Sequence, residues 1–228
     1  MILAATSTID ALGDAIAEFT DTTGIEVRAS YGPTSMLARQ VTSGAPADLL
    51  LSASTSWAEY VAERQPVVAS SSIAGNRLVV VVPGGSALGI SIDLESLASD
   101  ARFDRVAIAD PEAVPAGIYA REALENLGLW TSIEPRLLPT LDVRAALALA
   151  ANDEADAAVV YASDAAASDA VEVITAIDAS AHSPIEYPLL LLDAESLEAA
   201  ELFEFLVSER GRRHFLDRGF SAPRGGSS

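Results

Sequence analysis

Asp110-Pro111-Glu112-Ala113-Val114-Pro115-Ala116-Gly117-Ile118-Tyr119-Ala120 joins an apolar strand pattern, residues 105–109, to a segment with helical periodicity. Pro115 fits the first turn of a helix, where an N–H group needs no helical partner. Such a start presents free N–H groups at a positive dipole end, and Ala116 and Gly117 leave an approaching anion room. The stretch therefore predicts a strand, a turn and an anion-binding helix start. An ordinary strand-to-helix connection would have the same pattern.

The order of strand, turn and helix recurs along the chain. Residues 2–5 are apolar, and apolar residues then recur at helical spacing from Ile9. Ser7 stands at the N-cap position between them, with Asp10 three residues later in a weak version of the capping box. The alternation predicts an α/β fold of mostly parallel sheets flanked by helices. Further strands are predicted at residues 25–31, 48–52, 157–161 and 172–177.

Two uninterrupted apolar runs, residues 77–83 and 187–192, have the composition of strands buried on both faces. They predict that the chain leaves one α/β lobe, builds a second, and returns to the first. The predicted divisions are residues 1–81 for the first part of lobe I, residues 82–188 for lobe II, and residues 189–228 for the return with C-terminal helices.

The composition excludes several classes of function. The 228 residues include 33 acidic residues against 14 basic ones, giving a formal net charge of −19. This charge argues against nucleic acids and anionic membrane surfaces as partners. The sequence contains neither cysteine nor lysine, which excludes thiolate metal sites and a phosphate-loop NTPase. No run approaches the roughly 20 apolar residues of a membrane span. The opening strand lacks the segments of a signal peptide, so we expect this sequence to carry no leader.

Five residues stand where neutral hydrogen-bond donors are expected to converge. Each lies at a predicted helix start after a strand or at the end of a strand, where α/β proteins bind ligands. Serine hydroxyls, a phenol and helix N–H groups can all donate to an anion. Taken singly, the serines are explained as caps and the tyrosine as a packing residue, so the hypothesis rests on the joint pattern. The set comprises Ser7, Ser35, Ala116, Val143 and Tyr161.

The chain resembles the periplasmic molybdate-binding proteins of ABC transporters (ModA-like) from Leu3 to Phe220. The resemblance implies a two-lobed type II periplasmic binding protein with its ligand cleft between the lobes. In it Ser7 and Ser35 would give hydroxyl and backbone donors, Ala116 and Val143 backbone N–H groups, and Tyr161 its phenol. Beside Ser7, this chain has Thr6 at a position where the family has a small residue. The matching stretches are residues 4–7, 35–40, 44–49, 110–120, 142–144 and 160–161.

The resemblance also implies a monomer in the periplasm that delivers molybdate, and tungstate with it, to a membrane permease. No cofactor and no cation-binding residues are expected. The alternatives are a binding protein for another oxyanion such as sulfate, and a hydrolase on a similar two-lobed scaffold with Ser7 or Ser35 as nucleophile. The sequence has no G-x-S-x-G elbow, and His182 and His214 are expected at the surface, so we predict no enzyme.

Overall fold

A computed structural model of the chain describes residues 1–86 and 93–224. The chain folds into two compact units. Unit 1 comprises residues 1–75 and 185–228, and unit 2 comprises residues 76–184. Residues 225–228, the end of the predicted return to lobe I, lie outside the described residues.

Unit 1 contains a five-stranded mixed sheet in the order β2-β1-β3-β10-β4. β1 pairs in parallel with both β2 and β3, whereas β10 pairs antiparallel with β3. The parallel half of the sheet therefore comes from the first strands of the chain, and β10 is contributed by the returning segment. The strands are β1 Ile2–Ala5, β2 Ala29–Gly32, β3 Leu49–Leu51, β4 Ala69–Asn76 and β10 Ile185–Leu191.

The helices of unit 1 bury apolar residues against this sheet. Leu3 and Leu50 of the sheet pack with Leu37 and Val41 of α2 and with Val61 of α3 in one core cluster. Ser54 caps α3 by accepting a hydrogen bond from the N–H of Trp57 (3.4 Å). The helices are α1 Ile9–Thr23, α2 Thr34–Thr42, α3 Thr55–Ala62, α9 Leu197–Val207 and α10 Glu209–Asp217, and a 3-10 turn Thr6–Thr8 precedes α1.

Unit 2 contains a second five-stranded mixed sheet in the order β7-β6-β8-β5-β9. β6 pairs in parallel with β7 and β8, while β5 pairs antiparallel with β8 and β9. The parallel strands adjoin one another, so their carboxyl ends meet at one edge of the sheet. The strands are β5 Leu78–Pro83, β6 Val106–Ala109, β7 Leu137–Thr140, β8 Ala157–Tyr161 and β9 Val171–Ala176.

Helices flank the second sheet, and small buried residues allow close packing. α7 is rich in alanine, and its Ala146 and Ala150 are fully buried. A Cβ on Gly117 of α5 would lie 2.1 Å from the carbonyl oxygen of Ala109, so only glycine fits where α5 begins against the end of β6. The helices are α4 Leu94–Ser99, α5 Pro115–Asn126, α6 Trp130–Ile133, α7 Val143–Ala151 and α8 Ala162–Ala166, and a 3-10 turn spans Glu134–Arg136.

The unit boundaries differ from the predicted ones. The prediction ended the first part of lobe I at residue 81 and lobe II at residue 188, whereas the units divide after residues 75 and 184. The reason is hydrogen bonding. β5 forms ladders with β8 and β9, which assigns all of it to the second sheet, and β10 forms a ladder with β3 in the first sheet.

Two strands differ from the prediction, and the lengths of the helices bear on membrane spanning. The strand expected at residues 25–31 is formed only as Ala29–Gly32, and the strand Ala69–Asn76 was not predicted. Within residues 1–86 and 93–224, no helix combines the length and apolar character needed to cross a membrane.

Candidate functional site: two groups of hydrogen-bond donors

Ser7 lies in the 3-10 turn that joins β1 to α1. Its prediction as an N-cap is wrong, because α1 has Thr8 at its N-cap and no side chain caps it. The Ser7 hydroxyl instead lies 3.1 Å from the phenolic oxygen of Tyr187, a fully buried residue of β10. The Thr8 hydroxyl donates to the carbonyl oxygen of Ala5 (2.7 Å), which closes the turn. Ser7 is therefore oriented by a phenol rather than used for capping.

Ser35 is the second residue of α2. No side chain caps this helix, and its first backbone hydrogen bond runs from Met36 N–H to Pro33 O (3.0 Å). The N–H groups of Thr34 and Ser35 therefore precede the helical ladder. Ser35 is buried, and within the described ranges its hydroxyl hydrogen-bonds to no other residue. The Thr34 hydroxyl accepts from Ala53 N–H (3.1 Å), which fixes the start of the helix against the segment after β3.

Ser7 and Ser35 belong to one edge of the first sheet. β1 and β2 are adjacent parallel strands in which Ala5 is paired with Gly32. The turns that follow these two residues carry Ser7 and Ser35, so both serines follow the carboxyl ends of neighbouring strands. Tyr31 lies one residue before the end of β2. Burial raises the pKa of its phenol, and the charge of Asp10 raises it to a smaller extent. The phenol therefore stays protonated at neutral pH.

Ala116 lies in the first turn of α5, directly after the proline that begins the helix. The presence of Pro115 in this turn was predicted and is confirmed. The first backbone hydrogen bond of the helix runs from Ile118 N–H to Val114 O (2.9 Å), so the N–H groups of Ala116 and Gly117 precede the ladder. No side chain caps this start. It offers backbone donors alone, at the positive end of a twelve-residue helix.

Val143 begins α7, and Asp142 is the N-cap of this helix. The Asp142 carboxylate accepts a hydrogen bond from Ala145 N–H (2.9 Å), and its carbonyl oxygen accepts from Ala146 N–H (3.2 Å). The N–H groups of Val143 and Arg144 precede these bonds. The Thr140 hydroxyl donates to the Asp142 carbonyl oxygen (2.8 Å) and holds the turn between β7 and α7. One oxygen of the Asp142 carboxylate is thus engaged in capping.

Tyr161 is the last residue of β8 and is buried. The chain continues directly into α8, where Asp164 is fully buried and forms an ion pair with Arg144, Nε to Oδ1, at 2.5 Å. Ala162 N–H donates to Arg77 O (3.0 Å), and Asn76 Nδ2 donates to the hydroxyl of Ser163 (2.8 Å). Several bonds therefore hold the segment that follows the phenol.

Ala116, Val143 and Tyr161 share one edge of the second sheet. β7, β6 and β8 are adjacent and parallel, with Ala109 paired to Thr140 and Ile108 paired to Val159. The three predicted positions follow or form the carboxyl ends of these strands. Ligands of α/β proteins bind outside such strand ends. The structure thus brings the five predicted residues together in two groups, one in each unit.

Two side chains were missed or misjudged in the sequence. Tyr187 received no role, although a phenol at the start of an otherwise apolar strand is a signal for a buried polar contact. His182 was expected at the surface, but it is buried in a loop of unit 2, where its ring lies 6.1 Å from that of Tyr119. Loop position does not imply exposure where a ring packs against a helix. His214 is part-buried and bonded to Glu18.

Comparison with known proteins gives the class of this chain. The family model described as bacterial extracellular solute-binding protein matches residues 1–221, so the chain belongs to that family. It has the two-lobed type II fold of periplasmic binding proteins: the periplasmic molybdate-binding protein of Azotobacter vinelandii superposes with a TM-score of 0.86 at 20% identity, covering 98% of this chain and 99% of that one.

Individual relatives have closer sequences. The molybdate-binding protein ModA of Escherichia coli is 37% identical over 225 residues, which cover 96% of this chain and 88% of the relative. A Bacillus subtilis protein, YvgL, is 33% identical over 97% of this chain and 85% of its own length, and its name describes an ABC transporter substrate-binding lipoprotein.

Proposed function

We propose that this chain captures molybdate outside the cytoplasm and delivers it to the permease of an ABC transporter. The observation that carries the proposal is the clustering of neutral donors at the carboxyl edge of each sheet. These are the hydroxyls of Ser7 and Ser35 in unit 1, and the N–H groups of Ala116 and Val143 with the phenol of Tyr161 in unit 2. The identity to ModA over nearly the whole chain supports molybdate as the ligand. The name of the Bacillus relative supports a permease as the partner.

The donor set explains why a dianion would be preferred. Molybdate is fully deprotonated near neutral pH, so each of its oxygens can accept a hydrogen bond. Hydroxyl and N–H donors supply those bonds without formal charge. Phosphate still carries a proton at this pH, and an O–H group facing only donors would be buried without a partner, at a cost of about 1–3 kcal/mol. Phosphate binding should therefore be much weaker than molybdate binding.

Size separates the remaining dianions. Tungstate has the charge and nearly the dimensions of molybdate, so the same donors fit it and we propose it as a second ligand. Sulfate has the same charge but shorter bonds to oxygen. Within each unit, donors held at strand ends and helix starts keep their spacing, so sulfate cannot meet all the donors of a unit at good hydrogen-bond distance.

The net charge of −19 makes local donors necessary. The field of the whole molecule repels a dianion, so attraction must come from short hydrogen bonds at the site. The same repulsion is screened by salt, and the Debye length falls to about 8 Å at physiological ionic strength. Screening of this repulsion favours capture of the dianion from a salt-containing medium outside the cytoplasm.

A thermal-shift screen followed by competition calorimetry tests the proposal. Desalted protein is titrated with molybdate, tungstate, sulfate and phosphate at pH 7. A ligand at a thousand times its dissociation constant stabilises the folded state by about 4 kcal/mol, which gives a clear rise in Tm. We expect molybdate and tungstate to rank first, sulfate well behind and phosphate last. Sulfate ranking first would support the alternative oxyanion, and no shift with any of the four would refute an oxyanion-binding function.

A further inference from the structure

The buried ion pair of Arg144 and Asp164 joins two of the proposed donors of unit 2. Arg144 follows Val143 in the first turn of α7, and Asp164 lies three residues after Tyr161, in α8. The pair therefore connects the start of one helix to the segment that follows the end of β8. We propose that Arg144 and Asp164 are positioning residues, which set the spacing between the Val143 N–H group and the Tyr161 phenol. The inference rests on the proposed function.

The burial of the pair argues for a role beyond stability. The Asp164 side chain has 0% relative exposure and that of Arg144 has 24%, with Nε and Oδ1 separated by 2.5 Å. Removing a carboxylate fully from water is unfavourable, and well-packed apolar residues in place of such a pair are often equally stable or more so. What the ion pair provides and apolar packing does not is a close contact between two defined charged atoms, one in each element.

The position of the pair suits this role because the neighbouring contacts fix each element separately. The Asp142 carboxylate and the Thr140 hydroxyl hold the start of α7 to its own turn and to β7. The bond from Ala162 N–H to Arg77 O holds the end of β8 to the start of β5. The contact between Arg144 and Asp164 links the two elements directly. Two donors that serve one ion need this link, because hydrogen-bond strength falls steeply with misalignment.

The charges of the pair provide a way to separate positioning from electrostatics. In the intact protein the Arg144 guanidinium is paired, so the donor group of unit 2 stays close to neutral. Asp164→Asn removes the buried negative charge beside Arg144, so the site becomes more positive one residue from the Val143 N–H group. If the pair acted only through charge, this variant would bind all dianions more tightly. If it sets geometry, molybdate binding weakens although the site has become more positive.

The experiment measures the dissociation constants of molybdate and sulfate by calorimetry for Asp164→Asn and for the double variant Arg144→Met/Asp164→Leu. We expect both to bind molybdate at least tenfold more weakly, with a smaller change for sulfate, so that the ratio of the two constants moves towards one. The double variant restores neutrality and apolar packing, so it guards against failure of the single variant to fold. Melting temperatures, measured without ligand, establish that each variant is folded at the temperature of the titration.

A matched control comes from an ion pair at the other end of the same strands. Arg105 precedes β6 and Asp156 precedes β8, and their Nη2 and Oδ1 atoms lie 2.7 Å apart. Arg105→Gln/Asp156→Asn should leave the molybdate constant and the ratio to sulfate within twofold of the unmutated values. Unchanged constants and ratio in the Arg144 and Asp164 variants would overturn the positioning role, as would tighter molybdate binding by Asp164→Asn. Failure of the unmutated protein to bind any oxyanion would instead overturn the proposed function, and with it this inference.

Discussion

The two units present their donors by different means. In unit 1 the predicted donors include side-chain hydroxyls, Ser7 oriented by Tyr187 and Ser35 at an uncapped helix start. In unit 2 two of the three positions, Ala116 and Val143, can donate only through the backbone. Side-chain donors can be removed by truncation, whereas backbone donors can be removed only by moving a helix. The same substitution strategy therefore cannot test both units, and the predicted effects differ in kind.

The largest effect is expected at the backbone donors of unit 2. Gly117→Ala would place a Cβ 2.1 Å from Ala109 O and 2.6 Å from Asp110 O, so the start of α5 must move away from β6. Overpacking against backbone should lower the free energy of unfolding by about 3 kcal/mol. The displaced N–H group of Ala116 should also weaken molybdate binding. Chemical denaturation and calorimetry measure the two quantities.

Gly13→Ala is the control for the Gly117 variant. Gly13 lies within α1, and a Cβ there would meet no atom within 4 Å. Alanine favours helix over glycine, so this variant should be more stable by up to about 1 kcal/mol, with unchanged binding. If Gly117→Ala were as stable as the unmutated protein and bound molybdate equally well, the fixed helix start would not be the source of the backbone donors.

The second prediction concerns the side-chain donors of unit 1. Ser35→Ala removes one hydroxyl without moving the helix, because the Ser35 hydroxyl does not cap α2. A hydrogen bond to a charged ligand contributes about 1.5–3 kcal/mol, so its loss should make the dissociation constant about ten to a hundred times larger. Ser56→Ala, in an exposed position of α3, should leave the constant unchanged. An affinity within twofold for Ser35→Ala would remove this serine from the site.

The separation along the chain of the residues in each contact decides what the sequence could reveal. The strand Ala157–Tyr161 and the Asp142 cap were predictable, because both depend on neighbouring residues. The contact between Ser7 and Tyr187 joins residues 180 positions apart, and no local pattern reports it. The sequence therefore assigned Ser7 to capping. The unit boundaries were displaced for a similar reason, since apolar runs mark buried strands but do not specify which sheet each strand joins.

The third prediction separates a phenol that contacts the ligand from one that acts through a serine. Tyr161→Phe should weaken molybdate binding by about 1.5–3 kcal/mol, as for a direct bond to a charged group. Tyr187→Phe keeps the ring against Phe220 but removes the bond to Ser7, so the loss should be near 1 kcal/mol. In a double-mutant cycle, Ser7→Ala and Tyr187→Phe should be coupled, whereas Ser7→Ala and Tyr161→Phe should be additive. Equal losses for the two phenols would contradict the distinction.

The smallest effect concerns an ion-pair network at the surface of unit 1, which contrasts with the buried pair of Arg144 and Asp164 in unit 2. Glu18 of α1 accepts hydrogen bonds from Arg210 and is bonded to His214, both in α10, and these contacts lower the pKa of its carboxyl group. A carboxylate with a lowered pKa stabilises the folded state above its ordinary pKa, and this contribution is lost as pH falls through the lowered value. Amide protection in α10 should therefore decrease slightly below about pH 4.3, the ordinary value for glutamate.

Hydrogen exchange of α10 peptides, corrected for the intrinsic rate at each pH, measures the acid effect. Glu18→Gln should abolish this pH dependence while leaving molybdate affinity at pH 7 unchanged, because the contact between α1 and α10 involves none of the proposed donors. The effect stays small because Glu18 is partly exposed to solvent, where water and salt screen ion pairs. By contrast, peptides covering residues 143–151 of unit 2 should keep their protection in the same pH range, since no residue of α7 takes part in the ion pairs between α1 and α10. Equal loss of protection in α7 and α10 would show that acid acts on the molecule as a whole through its net charge, and not through the exposed pairs of unit 1.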